Sequence, residues 1–328
     1  MAVLVTGGAG YIGSHTCVAL KEAGYDVVVI DNLSNSSKEI VKSVEGIIGI
    51  SLPFHQVDIC DEGELDLVFA KEEIDSVVHF AALKAVGESV EKPDLYHRNK
   101  VGGTEVLLKV MKKHGVDKMV FSSSCTVYGQ PEITPVDENA PFLPAESPYG
   151  QTKQDCEALI ANSGISSALL RYFNPIGAHP SGQIGELPIG VPNNLIPFLC
   201  QAVAGLRGEL VVFGDDYPTV DGSCIRDYLH VCDLAEAHVA ALKNLAEGPR
   251  PYNLGTGRGT SVLEIIKAFE KATGEKVPYR IGERREGDIV AIWANPSRAQ
   301  TELKWTANRT IEEALGDAWR WQKELVSK

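Results

Sequence analysis

Two tyrosine–lysine pairs, Tyr149 with Lys153 and Tyr96 with Lys100, are the residues of this chain best suited by type and spacing to move a proton. On a helix, that spacing puts both side chains on one face. A nearby ammonium favours the phenolate and lowers a tyrosine pKa from its ordinary value of about 10. Such a tyrosine can take a proton from an alcohol while a hydride leaves the same carbon. Spacing does not separate the pairs, but context does. Tyr149 follows Ser147-Pro148, a helix-start signature, and comes after a strand-like run tipped by Ser122-Ser123-Ser124. Ser124 is placed there to orient a substrate hydroxyl. Tyr149 with Lys153 is therefore expected to be the working pair, and Tyr96 with Lys100 an exposed surface pair.

A hydride needs an acceptor, and the first fourteen residues offer a place for one. The β-prone run Met1–Thr6 leads into Gly7, Gly8, Gly10 and Gly13, and an apolar helical stretch follows at once. Glycines let such a turn be tight and let backbone N–H groups approach a pyrophosphate, while the helix N-terminus adds partial positive charge. Asp31 ends the next apolar run, Val27–Ile30, where a carboxylate can accept from both ribose hydroxyls and repel a 2′-phosphate. No lysine or arginine follows it before Lys38, so NAD is favoured over NADP. Asp58-Ile59 ends the third run and suits an adenine edge and face. Phe80-Ala81-Ala82-Leu83-Lys84 ends the fourth, with small residues where a cofactor could pass close.

These groups all fall at the ends of short apolar runs: Val3–Thr6, Val27–Ile30, Phe54–Val57, Ser76–Phe80, Met119–Ser122 and Ala168–Tyr172. Helical periodicity fills the gaps, as in Asp61–Lys71 and Lys100–Lys113. Alternation of this kind predicts an α/β fold, a Rossmann-type doubly wound parallel sheet whose ligands sit beyond the carboxyl ends of its strands. After Arg171, Pro and Gly crowd residues 174–197 and the apolar runs become irregular. The expected division is a dinucleotide-binding domain over 1–173, with 225–242 packing back onto it, and a smaller, loop-rich α/β substrate domain over 174–328.

With 328 residues, 44% hydrophobic and 23% charged, the chain can bury a sizeable core. A net charge of −13 argues against nucleic acid or an anionic membrane as partner. The sequence shows no run of about 18 apolar residues and no charged-then-apolar leader, so no membrane span or signal peptide is expected. Seven cysteines lack any Cys-x-x-Cys pair and eight histidines form no ligand-spaced cluster, which points to a reducing, cytoplasmic setting without a metal.

Taken together, Thr6–Gly13, Phe80–Lys84, Ser122–Gly129, Tyr149–Lys153 and Arg171–Gly177 resemble the extended short-chain dehydrogenase/reductase family. Pro192-Asn193-Asn194-Leu195, Phe213–Asp221, Arg226-Asp227-Tyr228 and Arg285-Glu286-Gly287-Asp288 extend the resemblance, along essentially the whole chain, to the branch that epimerises UDP-hexoses at C4. The resemblance implies that Tyr149 is the catalytic base, that Lys153 binds the nicotinamide ribose, and that Ser124 contacts the sugar 4-hydroxyl. It places Gly7, Gly10, Tyr11, Ile12, Gly13, Asp31, Asn32, Leu33, Ser34, Asn35, Ser36, Asp58, Ile59, Phe80, Ala81, Ala82, Leu83, Lys84, Asn99, Ser122 and Phe173 around NAD. Asn174, Asn194, Leu195, Val211, Phe213, Arg226, Arg285 and Asp288 would hold the UDP-sugar, joined by Lys84, Ser124 and Tyr149. It also implies a homodimer through helices around Lys100–Lys113 and Ser147–Ala161. The implied reaction is transient: hydride goes from C4 to a tightly held NAD, the 4-keto sugar turns, and hydride returns to its other face. UDP-glucose and UDP-galactose are the substrates so implied.

Two departures from the pattern matter. Cys125 stands where a small residue is expected, and Ile292 stands at the position expected to gate N-acetylated sugars by size, so their acceptance stays open. Other readings are a 4,6-dehydratase, a UDP-glucuronate decarboxylase and an NAD-sensing binding protein. The first needs an acid and a base before Val127-Tyr128-Gly129, where this chain has Cys125 and Thr126. The last predicts a broken catalytic set, whereas Ser124, Tyr149 and Lys153 are all present.

Overall fold

The computed structural model describes residues 2–84, 86–285 and 287–327; Met1 of the first apolar run and Glu286 of the Arg-Glu-Gly-Asp motif lie outside them. Six strands follow the apolar runs: β1 (Ala2–Thr6), β2 (Asp26–Ile30), β3 (Phe54–His55), β4 (Ile74–His79), β5 (Lys118–Ser124) and β6 (Ser166–Tyr172). All pair in parallel, in the spatial order 3-2-1-4-5-6. The third run, expected over Phe54–Val57, keeps only two residues as strand, at the sheet edge. A seventh strand, Pro249–Leu254, extends the sheet beside β6, although a Pro-rich segment so far along the chain carries little strand signal of its own.

The sheet is buried on both faces, so its strands read as continuous apolar runs rather than alternating ones. Val3, Val5, Val27 and Val29 pack on one side with helix α1 (Tyr11–Glu22) and the helix Val231–Lys243. Leu4, Val28, Val77 and Phe121 pack on the other, with Leu107 and Met111 of the helix Gly103–Lys113 and Cys156 and Ile160 of Pro148–Ala161. The order reverses between β1 and β4, and their ends are pinned together there. Thr6 Oγ1 lies 2.7 Å from His79 Nδ1, and Phe80 N–H donates to the Thr6 carbonyl at 3.0 Å.

A separate core lies in the later part of the chain, where the helices Leu195–Val203, Val262–Thr273 and Ile311–Ser327 pack around Leu199, Phe269 and Trp319. The strands Leu210–Phe213 and Tyr279–Gly282 pair in parallel beside it.

Candidate active site

The glycine turn after β1 is closed to side chains. A Cβ on Gly13 would stand 2.3 Å from the Gly7 carbonyl oxygen, and one on Gly7 would stand 2.8 Å from Ala81 N, with Gly7 already at φ +71°. Helix α1 starts at Gly10 with no side-chain cap and no acid in its first turn, so its first N–H groups remain free for an anion. Asp31 braces the turn: its carboxylate accepts from Ala9 N at 3.0 Å, Leu33 N at 2.9 Å and Ser36 Oγ at 2.7 Å. Leu33 takes a left-handed conformation (φ 60°), and Ser34 N donates to the Asn32 side chain at 3.0 Å. Asn35 is exposed on the same loop.

Further walls lie along the same edge. Asn32 Nδ2 donates to Asp58 at 2.9 Å, and Ile59 is buried. Asn99 accepts from Leu83 N at 2.9 Å, fixing the segment after Phe80. Ala81 and Ala82 border a small cavity with Phe80, and Phe173 is buried with its N–H on the Leu254 carbonyl. Ile12 is partly buried against the sheet core, and Tyr11 donates to the Gly177 carbonyl at 2.7 Å. A turn with no room for a Cβ, an uncapped helix start and a carboxylate one strand away together fit the pyrophosphate and ribose of NAD.

The helix carrying Tyr149 begins as the sequence predicts, with Ser147 accepting from Gly150 N and Pro148 in the first turn. Tyr149 is half-buried, and Ser124, the last residue of β5, acts on its hydroxyl. Lys153 does not act on it as expected. Its amine donates to the Ser122 carbonyl and lies 4.8 Å above the Phe121 ring. Burial pushes the Tyr149 phenol well above its usual value, against a partial downward pull from Ser124. Burial also takes Lys153 down to about 8. The expectation of a phenol acidified by its own helix neighbour is thus corrected: burial dominates, and Lys153 is not among the groups acting on the phenol.

The second pair is corrected too. Tyr96 and Lys100 are both buried, Tyr96 donating to Glu88 at 2.9 Å. Residues Arg98–Gly102 form a π-helical turn, and the Lys100 amine lies 3.3 Å from the centre of the Tyr149 ring against 6.0 Å from Tyr96. Its burial was legible in outline, since Lys100, Thr104, Leu107 and Met111 recur at helical spacing along one buried stripe.

On the other lobe, Asp288 joins two arginines: Arg285 at 2.5 Å and Arg226 at 3.8 Å. Arg226 also donates to the Ile225 and Ile289 carbonyls at 2.9 and 2.6 Å, and its charge reaches Cys125, next to Ser124. The Arg285 guanidinium lies 5.5 Å from the ring of Phe213, which is 43% exposed and therefore free to stack. Val211 lies on the same strand. Asn174 pairs through its backbone with Asp227, and Leu195 packs in the second core. Ile292 is buried with Val127, Tyr128 and Phe173.

Sequence reasoning missed Glu186. It accepts from Asn194 Nδ2 at 2.7 Å and stands 3.6 Å from the Lys84 amine, so it ties together two residues assigned to different walls. Nothing in the local Pro- and Gly-rich sequence marks it. Among the described residues, no cluster of His, Cys, Asp or Glu is placed to hold a metal ion, and no helix is long and apolar enough to cross a membrane.

A parallel sheet in 3-2-1-4-5-6 order with a side-chain-free turn at its reversal defines the doubly wound dinucleotide-binding class. Residues 3–255 match the NAD dependent epimerase/dehydratase family, and the chain belongs to it. A UDP-glucose 4-epimerase of Bacillus subtilis (strain 168) is 55% identical, covering 100% of this chain and 98% of that protein. One of Homo sapiens is 52% identical, covering 99% and 97%. Among solved structures, the enzyme from Stenotrophomonas maltophila with bound NAD and formylated UDP-arabinopyranose superposes with a TM-score of 0.98 at 48% identity, covering 100% of this chain and 99% of that one. The enzyme from Bifidobacterium longum in complex with NAD+ and UDP gives a TM-score of 0.94 at 48% identity, covering 99% and 98%.

Proposed function

We propose that this chain interconverts UDP-glucose and UDP-galactose with tightly bound NAD. The observation carrying this reading is the half-buried Tyr149 phenol, acted on by Ser124 at the carboxyl end of β5, within a family that is NAD dependent. When bound, NAD supplies the acceptor and donor for the C4 hydride. Gly7, Gly10 and Gly13, with the start of α1, hold its pyrophosphate. Asp31, Asn32, Asp58 and Ile59 hold the adenosine half, and Phe80–Lys84, Asn99, Ser122, Lys153 and Phe173 hold the nicotinamide half. Tyr149 takes the proton from the sugar 4-hydroxyl and gives it back, while Ser124 orients that hydroxyl.

Arg226 and Arg285 grip the diphosphate, each turning partly from Asp288 towards phosphate oxygens. Phe213 stacks on the uracil, and Asn174, Asn194, Leu195 and Val211 complete the wall. Clamping the nucleotide far from C4 leaves the hexose free to turn. The two cores support a division of labour, with 1–173 and the helix Val231–Lys243 serving NAD and most of 174–328 serving the UDP-sugar.

Mixing the purified protein with UDP-galactose, without added NAD, is expected to yield UDP-glucose. No product even with NAD supplied would overturn the reading. Ile292 sets the hexose pocket from behind, through Phe173 and Val127, so Ile292→Gly is expected to raise turnover of UDP-GlcNAc relative to UDP-glucose; an unchanged ratio would remove it as a gate. A cytoplasmic homodimer through the helices Gly103–Lys113 and Pro148–Ala161 completes the proposal. The cytoplasmic part is supported by seven free cysteines, and the dimer by the family resemblance. Light scattering at the monomer mass would exclude the dimer.

A further inference from the structure

Lys100 has no place in the assignment above, yet it reaches the centre of the site. It is 2% exposed, its amine has no hydrogen-bond partner among the described residues, and it lies 3.3 Å from the centre of the Tyr149 ring. With Lys153, His79, Thr104 and Cys156 it lines a cavity of about 10 Å³, close to the room one water needs. Leaving a buried amine unpaired costs stability, and an apolar side chain of the same length would avoid that cost.

We propose that Lys100 is a positioning residue for the Tyr149 proton, its amine taking up a proton as the phenol gives one up. One proton leaves the Tyr149 oxygen and one arrives on Lys100 Nζ, so the net charge of the buried site does not change. A phenolate spreads its charge into the ring, and the ring face is where this amine lies. The inference rests on Tyr149 being the acid–base group of the proposed reaction.

Of the groups facing Lys100, Lys153 opposes its gaining a proton and Cys156 favours it. On the helix Pro148–Ala161 these are Tyr149, Lys153 and Cys156; at the end of β4 it is His79, which burial lowers to about 3 and so keeps neutral. One turn back is Tyr96, whose hydroxyl is held by Glu88. Among the described residues, no carboxylate lines the cavity. Burial, then the charge of Lys153, lowers Lys100 well below a normal lysine, while burial raises Tyr149. Each group alone resists ionising, and ionising together offsets part of the penalty for both.

The test uses the NAD-loaded enzyme with Lys100→Met, which keeps length and removes the charge. Phenolate absorbance is titrated with Tyr149→Phe as the baseline, beside the pH profile of kcat. The Tyr149 midpoint is expected to rise by about one pH unit or more, as loss of one near charge implies. The acidic limb of kcat should move by the same amount with KM unchanged. Lys100→Gln provides the same comparison if the Met variant melts early. An unmoved midpoint and limb in a folded variant overturns the inference. Retained activity in Tyr149→Phe would instead overturn the assignment of Tyr149, so the two failures are distinct.

Discussion

The two Tyr-x-x-x-Lys turns of this protein have the same spacing and different fates. At the first, the phenol of Tyr96 is spent on Glu88, and the lysine leaves it behind because a π-helical turn intervenes. At the second, the phenol of Tyr149 faces Ser124, and its own lysine is engaged with the Ser122 carbonyl. The amine at the Tyr149 ring therefore comes from the other pair. A shared spacing says which groups can meet; what each phenol is already bonded to decides which one is free to react.

Exchanging the two phenols is the sharpest way to break that contrast. Tyr149→Phe is expected to lower kcat by about 10²–10⁴, the range of a lost acid–base group, with NAD still bound. Tyr96→Phe should change kcat less than about twofold, an outcome of ordinary hydrogen-bond loss away from the reacting atoms. Equal losses in steady-state assays would erase the distinction.

The substrate wall allows a second test. Arg285→Ala is expected to raise KM for UDP-galactose by roughly 10- to 100-fold, the worth of one charged hydrogen-bond donor, with kcat nearly unchanged. Arg226→Ala should do the same and also lower the melting temperature, since Arg226 holds the Ile225 and Ile289 carbonyls.

The lysine of the second turn predicts a pH dependence. Lys153, lowered to about 8, is charged below that pH and loses its proton above it. Activity that needs its ammonium is therefore full below about 8 and falls as pH rises; a kcat profile flat through pH 9 would contradict this. The smallest expected effect is on stability. Tyr96→Phe should cost about 1 kcal/mol for its bond to Glu88, read as a small fall in melting temperature.

Much of the fold was legible because the information is local. Apolar runs of β length, helical periodicity between them and a Ser-Pro helix start are each set by neighbours in sequence, and the strands and the Pro148 helix follow them. The strand Pro249–Leu254 was not legible, since the long-range partner β6 rather than its own Pro-rich composition makes it a strand. Glu186 was hidden for a related reason: its partner Lys84 lies on a distant loop, although Asn194 is only eight residues on.

The sequence by itself determined the residue types at the strand ends, the glycine turn and the alternation that builds a parallel sheet. Only the tertiary structure decided which charges survive there. Burial of Lys100 and Lys153 in one small volume, beside the Tyr149 ring, makes each ionisation costly, and that cost depends on packing from four separate segments. Desolvation is a property of the whole surrounding volume, which no spacing along a chain can encode.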